Sequence, residues 1–226
     1  MVGNGEAPMC NFCRLRAHFA VRRLRTHELA KYDEKYYATE YWREDLPGLT
    51  GNQGLSYDDP DHRHRFSFLY ETIIAPHKPK RLLDVGCGPG LLLNETLERG
   101  IDSWGVDWSA AAKELFSRSA PRELWDRFKV FPITTLPFPT DSFDLCVCMD
   151  VLEHLPVFDV FQAVAEMCRV CSGHIICSIN MNNPYEYHPT ILSRDSWIAM
   201  FEAPRLARFD INETQLLNER VRTKYS

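Results

Sequence analysis

One glycine-rich segment, Leu82–Gly90, constrains the fold of this chain more than any other. An apolar run ends there in Asp84, three glycines follow at alternate positions, and Leu91–Leu97 then has the apolar spacing of a helix. The segment predicts a strand, a tight turn and a helix. In a doubly wound α/β fold, this arrangement places a ligand at the carboxyl end of the first strand, beside the unpaired N–H groups of the helix N-terminus.

The spacing of the glycines separates this turn from a dinucleotide-binding loop. Such a loop reads G-x-G-x-x-G, and its third glycine lets the helix pack closely on the strand. Here Gly86, Gly88 and Gly90 alternate, and Leu91 stands where a dinucleotide loop has its third glycine. The turn is therefore a poor match for NAD.

The string LLDVGCGPG resembles motif I of the class I S-adenosylmethionine-dependent methyltransferases. The resemblance continues through the LPF run at 136–138 and the DVLEHL segment at 150–155, and it covers about residues 81–180. It implies an α/β fold with a Rossmann-like, doubly wound, mostly parallel sheet, and S-adenosylmethionine as the cofactor. It also implies an N-terminal helical lid and a C-terminal antiparallel strand pair, for which 208–211 and 220–225 are the candidate strands.

The second predicted strand ends in Asp107, which lies 21 positions beyond Gly86. An acidic residue about 20 positions after the first glycine of such a turn binds the ribose hydroxyls of a nucleoside. We therefore predict that Asp107 binds the ribose. The alternative is that Asp107 caps the helix that begins near Ser109. The donor-binding residues expected on the resemblance are Asp84, Gly86, Cys87, Gly88, Gly90, Asp107, Trp108, Ile133, Thr134 and Asp150.

Recognition of the adenine ring departs from the common pattern of the family. Many relatives have an aspartate about four residues before the leucine of the LPF run, and it binds the adenine amino group. This chain has Pro132 at that position. We expect backbone groups near Ile133 and apolar packing to hold the adenine instead.

Two histidines and one carboxylate are the candidate catalytic residues. Methyl transfer from a sulfonium is an in-line displacement that needs alignment and no covalent enzyme intermediate. A general base assists a hydroxyl or amine acceptor. His154 is the first candidate because it occupies the histidine position of the family's EHL segment, and His188 on a later loop is the second. Asp150 is expected to line the acceptor pocket, and Glu153 to hold the geometry of the loop; the alternative for His154 is a structural role.

Acceptor contacts are expected on both sides of the core. Tyr37, Tyr41 and Arg65 precede the first strand, where small-molecule relatives fold a lid over the donor, and Asn180 and His188 follow the fifth strand. Aromatic faces suit a sulfonium cation, and an arginine suits a carboxylate. The alternative for the tyrosines is core packing. The run HPT-x-x-S-R-x-x-W at 188–197 resembles methyltransferases of saccharide and natural-product clusters, so we expect a small-molecule acceptor with an O or N nucleophile.

The length of 226 residues suits a chain with one hydrophobic core. We divide the chain into an N-terminal lid segment (1–78) and a donor-binding core (79–226).

The net charge of −5 gives no general reason to bind nucleic acid, although five arginines lie within 14–25. That basic stretch reads as a solvated helix face, with an RNA backbone, an anionic substrate or a membrane face as alternatives. No apolar stretch approaches 18 residues and no secretory signal is evident, so we expect a cytoplasmic protein. The sequence leaves the oligomeric state open.

Eight cysteines include two C-x-x-C pairs, Cys10 with Cys13 and Cys168 with Cys171. Four thiolates can hold zinc. The second pair is expected on one face of the helix before the fifth strand, 155 residues after the first pair, which argues against a shared site. We expect reduced thiols and no metal.

Two other functions fit the same scaffold. An aminopropyl transferase would use the decarboxylated donor, but its family usually has further acidic residues around the amine channel, and no clear equivalent is present. A non-catalytic member would bind a partner protein through the N-terminal segment. The intact glycines at 86, 88 and 90 and Asp107 argue against a lost donor site.

Overall fold

The structure is a computed structural model that describes residues 66–181 and 188–201. The strands of these ranges are β1 (Arg81–Val85), β2 (Asp102–Asp107), β3 (Phe128–Val130), β4 (Phe143–Met149) and β5 (Cys171–Ser178). The α-helices are α1 (Leu91–Glu98), α2 (Ala110–Ser119), α3 (Val157–Val170) and α4 (Arg194–Phe201). Strands and α-helices alternate along the chain except between β3 and β4, which follow each other without a helix, and this order is typical of βαβ units.

The five strands form one sheet in the order β3-β2-β1-β4-β5, and every neighbouring pair is parallel. β1 lies at the centre, with Asp84 opposite Gly105 on β2 and opposite Val147 on β4. The strand order reverses between β1 and β4, so the carboxyl ends of these two strands flank the topological switch point where open α/β sheets bind ligands. The predicted Rossmann-like, parallel sheet is confirmed.

Helices cover both faces of this sheet. Leu83 and Val85 of β1 pack in the core that includes α3 and α4, whereas Leu82 packs with Leu92 of α1. A third cluster joins α1 to α2 through Leu93 and Phe116. Because successive residues of a strand point to opposite faces, a strand covered on both faces is apolar almost throughout, as β1 and β4 are.

The described residues before β1 pack on the sheet. Residues 66–69 are helical and continue as a π-helical turn (Tyr70–Ile74) and a 3₁₀ turn (Ala75–His77). Ile74 is fully buried in the cluster that contains Leu82 of β1. Tyr37, Tyr41, Arg65 and the basic stretch at 14–25 lie outside the described residues, as do the candidate strands at 208–211 and 220–225. The lid and the boundary after residue 78 remain predictions.

Two local expectations are wrong. The apolar residues of Phe128–Ile133 predict a third strand over that whole segment, but the strand ends at Val130, because Pro132 lacks an N–H and the chain turns there, with Thr135 N–H bonded to Pro132 O at 3.0 Å. Cys168 and Cys171 do not share a helix face, since α3 ends at Val170 and Cys171 is the first residue of β5.

The helices of the described ranges are short. α3 has 14 residues, whereas a bilayer requires about 20 apolar ones. None of the described helices is long and apolar enough to span a membrane. The cysteines in the same ranges are free thiols: Cys87, Cys146, Cys148, Cys168, Cys171 and Cys177.

Candidate donor site and the adjoining histidine pair

The turn between β1 and α1 is built around glycines with positive φ. Gly86 has a φ of +73° and Gly90 a φ of +78°. A Cβ on Gly86 would lie 2.5 Å from Val151 Cγ2, and a Cβ on Gly90 would lie 2.5 Å from Phe116 Cδ2. The protein's own packing therefore requires glycine at both positions, in addition to any approach of a ligand.

The N-terminus of α1 opens at this turn. Gly90 is the N-cap in the left-handed conformation and supplies no side-chain cap. The first N–H groups of an α-helix have no partner within the helix, and they favour an anion at that end. The geometry suits the carboxylate of an amino-acid ligand.

Asp107 joins the glycine turn to the turn after β2. Its Oδ2 accepts a hydrogen bond from Gly88 N–H at 3.0 Å, and its Oδ1 accepts one from Ser109 N–H at 2.9 Å. Ser109 is the N-cap of α2, because its Oγ accepts a hydrogen bond from Ala112 N–H at 3.1 Å. The capping role considered for Asp107 therefore belongs to Ser109, and the ribose role of Asp107 remains a prediction.

Two buried carboxyl groups lie beneath the turn. Burial, together with the charge of Asp107, raises the pKa of Asp84 to about 8. Burial raises the pKa of Asp107 to about 6. Hydrogen bonds from the backbone of Ser109, Gly88 and Trp108 act in the opposite direction and keep this rise smaller. Near neutral pH, Asp107 is mostly ionised and Asp84 mostly protonated. A cation bound beside them would be stabilised by charge and would release protons.

The side chain of Cys87 lies beneath the turn, where its Sγ donates a hydrogen bond to Gly88 O at 3.7 Å. The side chain is buried against Leu93 and Phe116, and its N–H donates to Val106 O at 3.0 Å. Burial, with the charges of Asp84 and Asp107, raises the pKa of the Cys87 thiol well above its usual value. The thiol is therefore neutral and serves the packing of α1 and α2.

The predicted adenine side is formed after β2 and β3. Trp108 follows Asp107 and is 37% exposed, which leaves part of its ring for a ligand. Ile133 is buried in the main core, and Thr134 is half-buried in the turn that follows β3. The structure places these residues beyond the carboxyl ends of β2 and β3, and their contact with adenine remains a prediction.

The LPF run after this turn is held by an ion pair on α3. Leu136 N–H donates to Glu166 Oε2 at 2.8 Å, and Arg169 donates to the carbonyl oxygens of Leu136 and Phe138 at 3.0 and 2.7 Å. Arg169 also bonds Glu166, which holds the pKa of that carboxyl below its usual value. The clamp fixes the chain between the adenine side and β4.

Asp150 stands at the carboxyl end of β4 with a φ of +55°. Its Oδ1 accepts a hydrogen bond from Ser178 Oγ at 2.7 Å, and its N–H donates to Ser178 O at 2.9 Å. Positive φ is uncommon for a residue other than glycine and is concentrated at functional sites. Ser178, the last residue of β5, therefore orients the predicted pocket carboxylate, a contact that sequence reasoning did not identify.

Glu153 is fully buried beside Asp150. Its Oε1 accepts a hydrogen bond from Asn180 N–H at 2.9 Å, whereas its Oε2 has no hydrogen-bond partner among the described residues. Burial and the charge of Asp150 raise the pKa of Glu153 to about 8. The Glu153 carboxylate thus holds the start of the loop after β5 through the backbone of Asn180, in line with the loop-holding role expected from the sequence.

The two candidate bases lie side by side. The rings of His154 and His188 have centroids 4.5 Å apart and are nearly perpendicular, at 82°. Thr190 fixes this arrangement: its N–H donates to Glu153 O at 3.3 Å and its Oγ1 to Leu155 O at 2.6 Å. The sequence placed both histidines near the acceptor side but did not predict that they meet.

Comparison with known proteins agrees with this geometry. Residues 83–177 match the methyltransferase domain family. The ubiquinone biosynthesis O-methyltransferase of Alkalilimnicola ehrlichii is 33% identical over 120 residues, which are 51% of this chain and 48% of that protein. The segment from β1 to β5 is therefore similar to a methyltransferase domain. The chain spans about half the length of the curated relative that it matches.

Solved structures support the methyltransferase fold. The YcgJ protein of Bacillus subtilis is 25% identical with a TM-score of 0.51, and the match covers 63% of this chain and 68% of that one. A SAM-dependent methyltransferase of Archaeoglobus fulgidus shares the fold at 19% identity and a TM-score of 0.50, covering 62% and 67% of the two chains. Both likenesses agree with the Rossmann-like sheet of the described residues.

Proposed function

We propose that this protein is a methyltransferase that transfers the methyl group of S-adenosylmethionine to an oxygen or nitrogen of a small molecule. The observation that carries the proposal is the bond from Gly88 N–H to Asp107 Oδ2, because it brings the acidic end of β2 against the glycine turn at the switch point. A nucleoside bound there reaches both elements at once. The name of the A. ehrlichii relative favours oxygen as the nucleophile.

The donor has parts that match this edge of the sheet. In the proposal, the N-terminus of α1 at Gly90 binds the donor carboxylate, and Asp84 lies on the side of the cationic groups. Asp107 binds the ribose through carboxylate lone pairs that its backbone hydrogen bonds leave available. Trp108, with Ile133 and Thr134, flanks the adenine.

The acceptor side is formed after β4 and β5. Positive charge disappears from sulfur as the methyl group moves, so the protein has to align the nucleophile with the methyl carbon and remove one proton. His154 or His188 accepts that proton, since a neutral imidazole nitrogen can act as a general base. Asp150 and Asn180 line the pocket in this proposal, and Tyr37, Tyr41 and Arg65 complete it from the lid. A saccharide or natural-product intermediate remains the proposed class of acceptor.

Calorimetric titration with S-adenosylmethionine and S-adenosylhomocysteine tests the donor site. We expect micromolar binding that Asp107→Ala weakens at least tenfold. Asp102→Ala is the matched control: it removes a carboxylate from the same strand at the opposite edge of the sheet, where Asp102 pairs with Arg81 and Arg127. Folded protein that binds neither nucleoside would contradict the proposal.

Turnover separates the enzyme from the two other functions considered for this scaffold. A screen of small hydroxy and amino compounds with donor labelled in the methyl group should identify a labelled product. Tighter binding of decarboxylated donor than of S-adenosylmethionine would instead indicate an aminopropyl transferase. Donor binding without a labelled product from any acceptor would favour the partner-binding protein.

A further inference from the structure

We propose that Glu153, His154 and His188 form a binding site for a divalent transition-metal ion, for which Zn²⁺ is the probe. Each side chain offers one ligand atom, a carboxylate oxygen or an imidazole nitrogen, and the three atoms lie within 4.8 Å of one another. Ligand atoms that bind one zinc ion at about 2.0–2.1 Å lie roughly 3.4 Å apart. The three side chains therefore need to close by little more than ~1 Å to share an ion.

The unpartnered oxygen of Glu153 is an independent sign of a ligand. Glu153 has none of its surface exposed, and Oε1 is bonded to Asn180 N–H. Oε2 has no hydrogen-bond partner among the residues that the structure describes. Buried polar atoms without a partner are rare, since each costs about 1–3 kcal/mol, and a bound cation is one of their recognised explanations. A cation between this oxygen and the imidazoles would satisfy it.

The backbone holds the three ligands before any ion binds. Glu153 and His154 are adjacent in one 3₁₀ turn (Leu152–His154), so their positions are coupled. His188 comes from the far side of the β5 loop, and the two hydrogen bonds of Thr190 fix it against this turn. A ligand set fixed in this way loses little conformational freedom on binding.

The donor atoms select the kind of metal. Two imidazoles with one carboxylate suit Zn²⁺ and its transition-metal neighbours, whereas Mg²⁺ and Ca²⁺ prefer oxygen ligands alone. Three protein ligands leave a fourth position open, as in catalytic zinc sites. If the proposed methyl transfer is correct, an acceptor hydroxyl can occupy that position; the ion would lower the pKa of this hydroxyl so that its proton leaves to water, and the coordinated imidazoles would then not act as bases. Metal binding itself does not depend on the proposed function.

A titration of the full chain with Zn²⁺ tests the site. The protein carries Cys10→Ser and Cys13→Ser, because that C-x-x-C pair can bind zinc by itself. We expect one equivalent of zinc to bind, and His188→Ala and Glu153→Gln to weaken the binding at least tenfold. His174→Ala is the matched control, since it also removes one member of a histidine pair: the ring centroids of His174 and His77 are 4.7 Å apart. Its zinc affinity should equal that of the parent protein.

Cobalt provides a second readout that identifies the ligands. Co²⁺ bound by nitrogen and oxygen gives visible d–d bands without the ultraviolet charge-transfer band of a thiolate ligand. Absence of zinc binding, equal affinity in His188→Ala and the parent, or a thiolate band would each overturn the proposal. Circular dichroism and S-adenosylmethionine titration of every variant separate this failure from unfolding and from failure of the donor site.

Discussion

Gly88 donates its backbone N–H to Asp107 Oδ2 over 3.0 Å, so the carboxylate assigned to the ribose also closes the glycine turn. A substitution at Asp107 therefore affects stability and donor binding together. We expect Asp107→Asn, whose amide nitrogen cannot accept from a second N–H, to destabilise the protein by about 1–3 kcal/mol. Donor affinity should fall at least tenfold. Urea denaturation and calorimetry measure the two effects, and an unchanged affinity would contradict the ribose role.

The raised pKa of Asp84, about 8, predicts that stability depends on pH. The folded protein holds this proton more tightly than the unfolded chain does. The stabilisation is complete below the ordinary value of 3.8 and is lost as pH rises through about 8. We expect the free energy of unfolding of ligand-free protein to fall between pH 5 and 8, and to fall less steeply in Asp84→Asn.

Urea denaturation at several pH values measures this slope. Asp126→Asn is the control, because Asp126 is exposed in the turn before β3, and its removal should leave the slope of the parent protein. Equal slopes in the parent and in Asp84→Asn would show that burial does not raise this pKa.

The contact between Gly90 and Phe116 makes Gly90→Ala a severe change. The new Cβ would lie 2.5 Å from the Phe116 ring and would also hold a φ of +78°. Gly100 offers a matched control, since its φ is +80° and a Cβ there would meet nothing within 4 Å. We expect about 1 kcal/mol of destabilisation in Gly100→Ala from the backbone alone and clearly more in Gly90→Ala. Similar melting temperatures for the two variants would mean that the ring moves aside without cost.

Thr190 positions the histidine pair through its hydroxyl. Thr190→Val keeps the shape and the backbone bond to Glu153 but removes the 2.6 Å bond from Oγ1 to Leu155 O. We expect the free energy of unfolding to fall by about 1 kcal/mol. We also expect a weaker nuclear Overhauser effect between the His154 and His188 rings in NMR spectra. Thr190→Ser keeps the hydroxyl and should preserve the contact. A pair that stays intact in Thr190→Val would assign its geometry to other residues.

The core of the fold was predictable because its signals are local. The strand, turn and helix around Gly86–Gly90 follow from residues that are neighbours in sequence, and Asp107 was found by its distance from them. The length of β3 was overestimated because an apolar run continues past Val130, although Pro132 ends the pairing there. Apolar runs show where a strand begins more reliably than where its hydrogen bonds stop.

Proximity between distant segments could not be predicted from the sequence. His154 and His188 are 34 positions apart, and they meet only because β4 and β5 are neighbours whose following loops leave the same edge. The lack of a hydrogen-bond partner for Glu153 Oε2 among the described residues likewise depends on which backbone N–H groups of distant segments come near it. The side chain of Cys87 packs with Leu93 and Phe116 in the core, although its place in the motif suggests a site residue.

The hydrogen bonds of Glu166 and Arg169 to the LPF run determine which segments have to be exchanged together in a chimera with a related protein. Leu136 and Phe138 are held by side chains of α3, some 30 positions later in the chain. A chimera that imports a loop of different conformation after β3 would move these backbone groups away from Glu166 and Arg169 and leave the ion pair without them. The loop that is predicted to flank the adenine is therefore best exchanged together with α3.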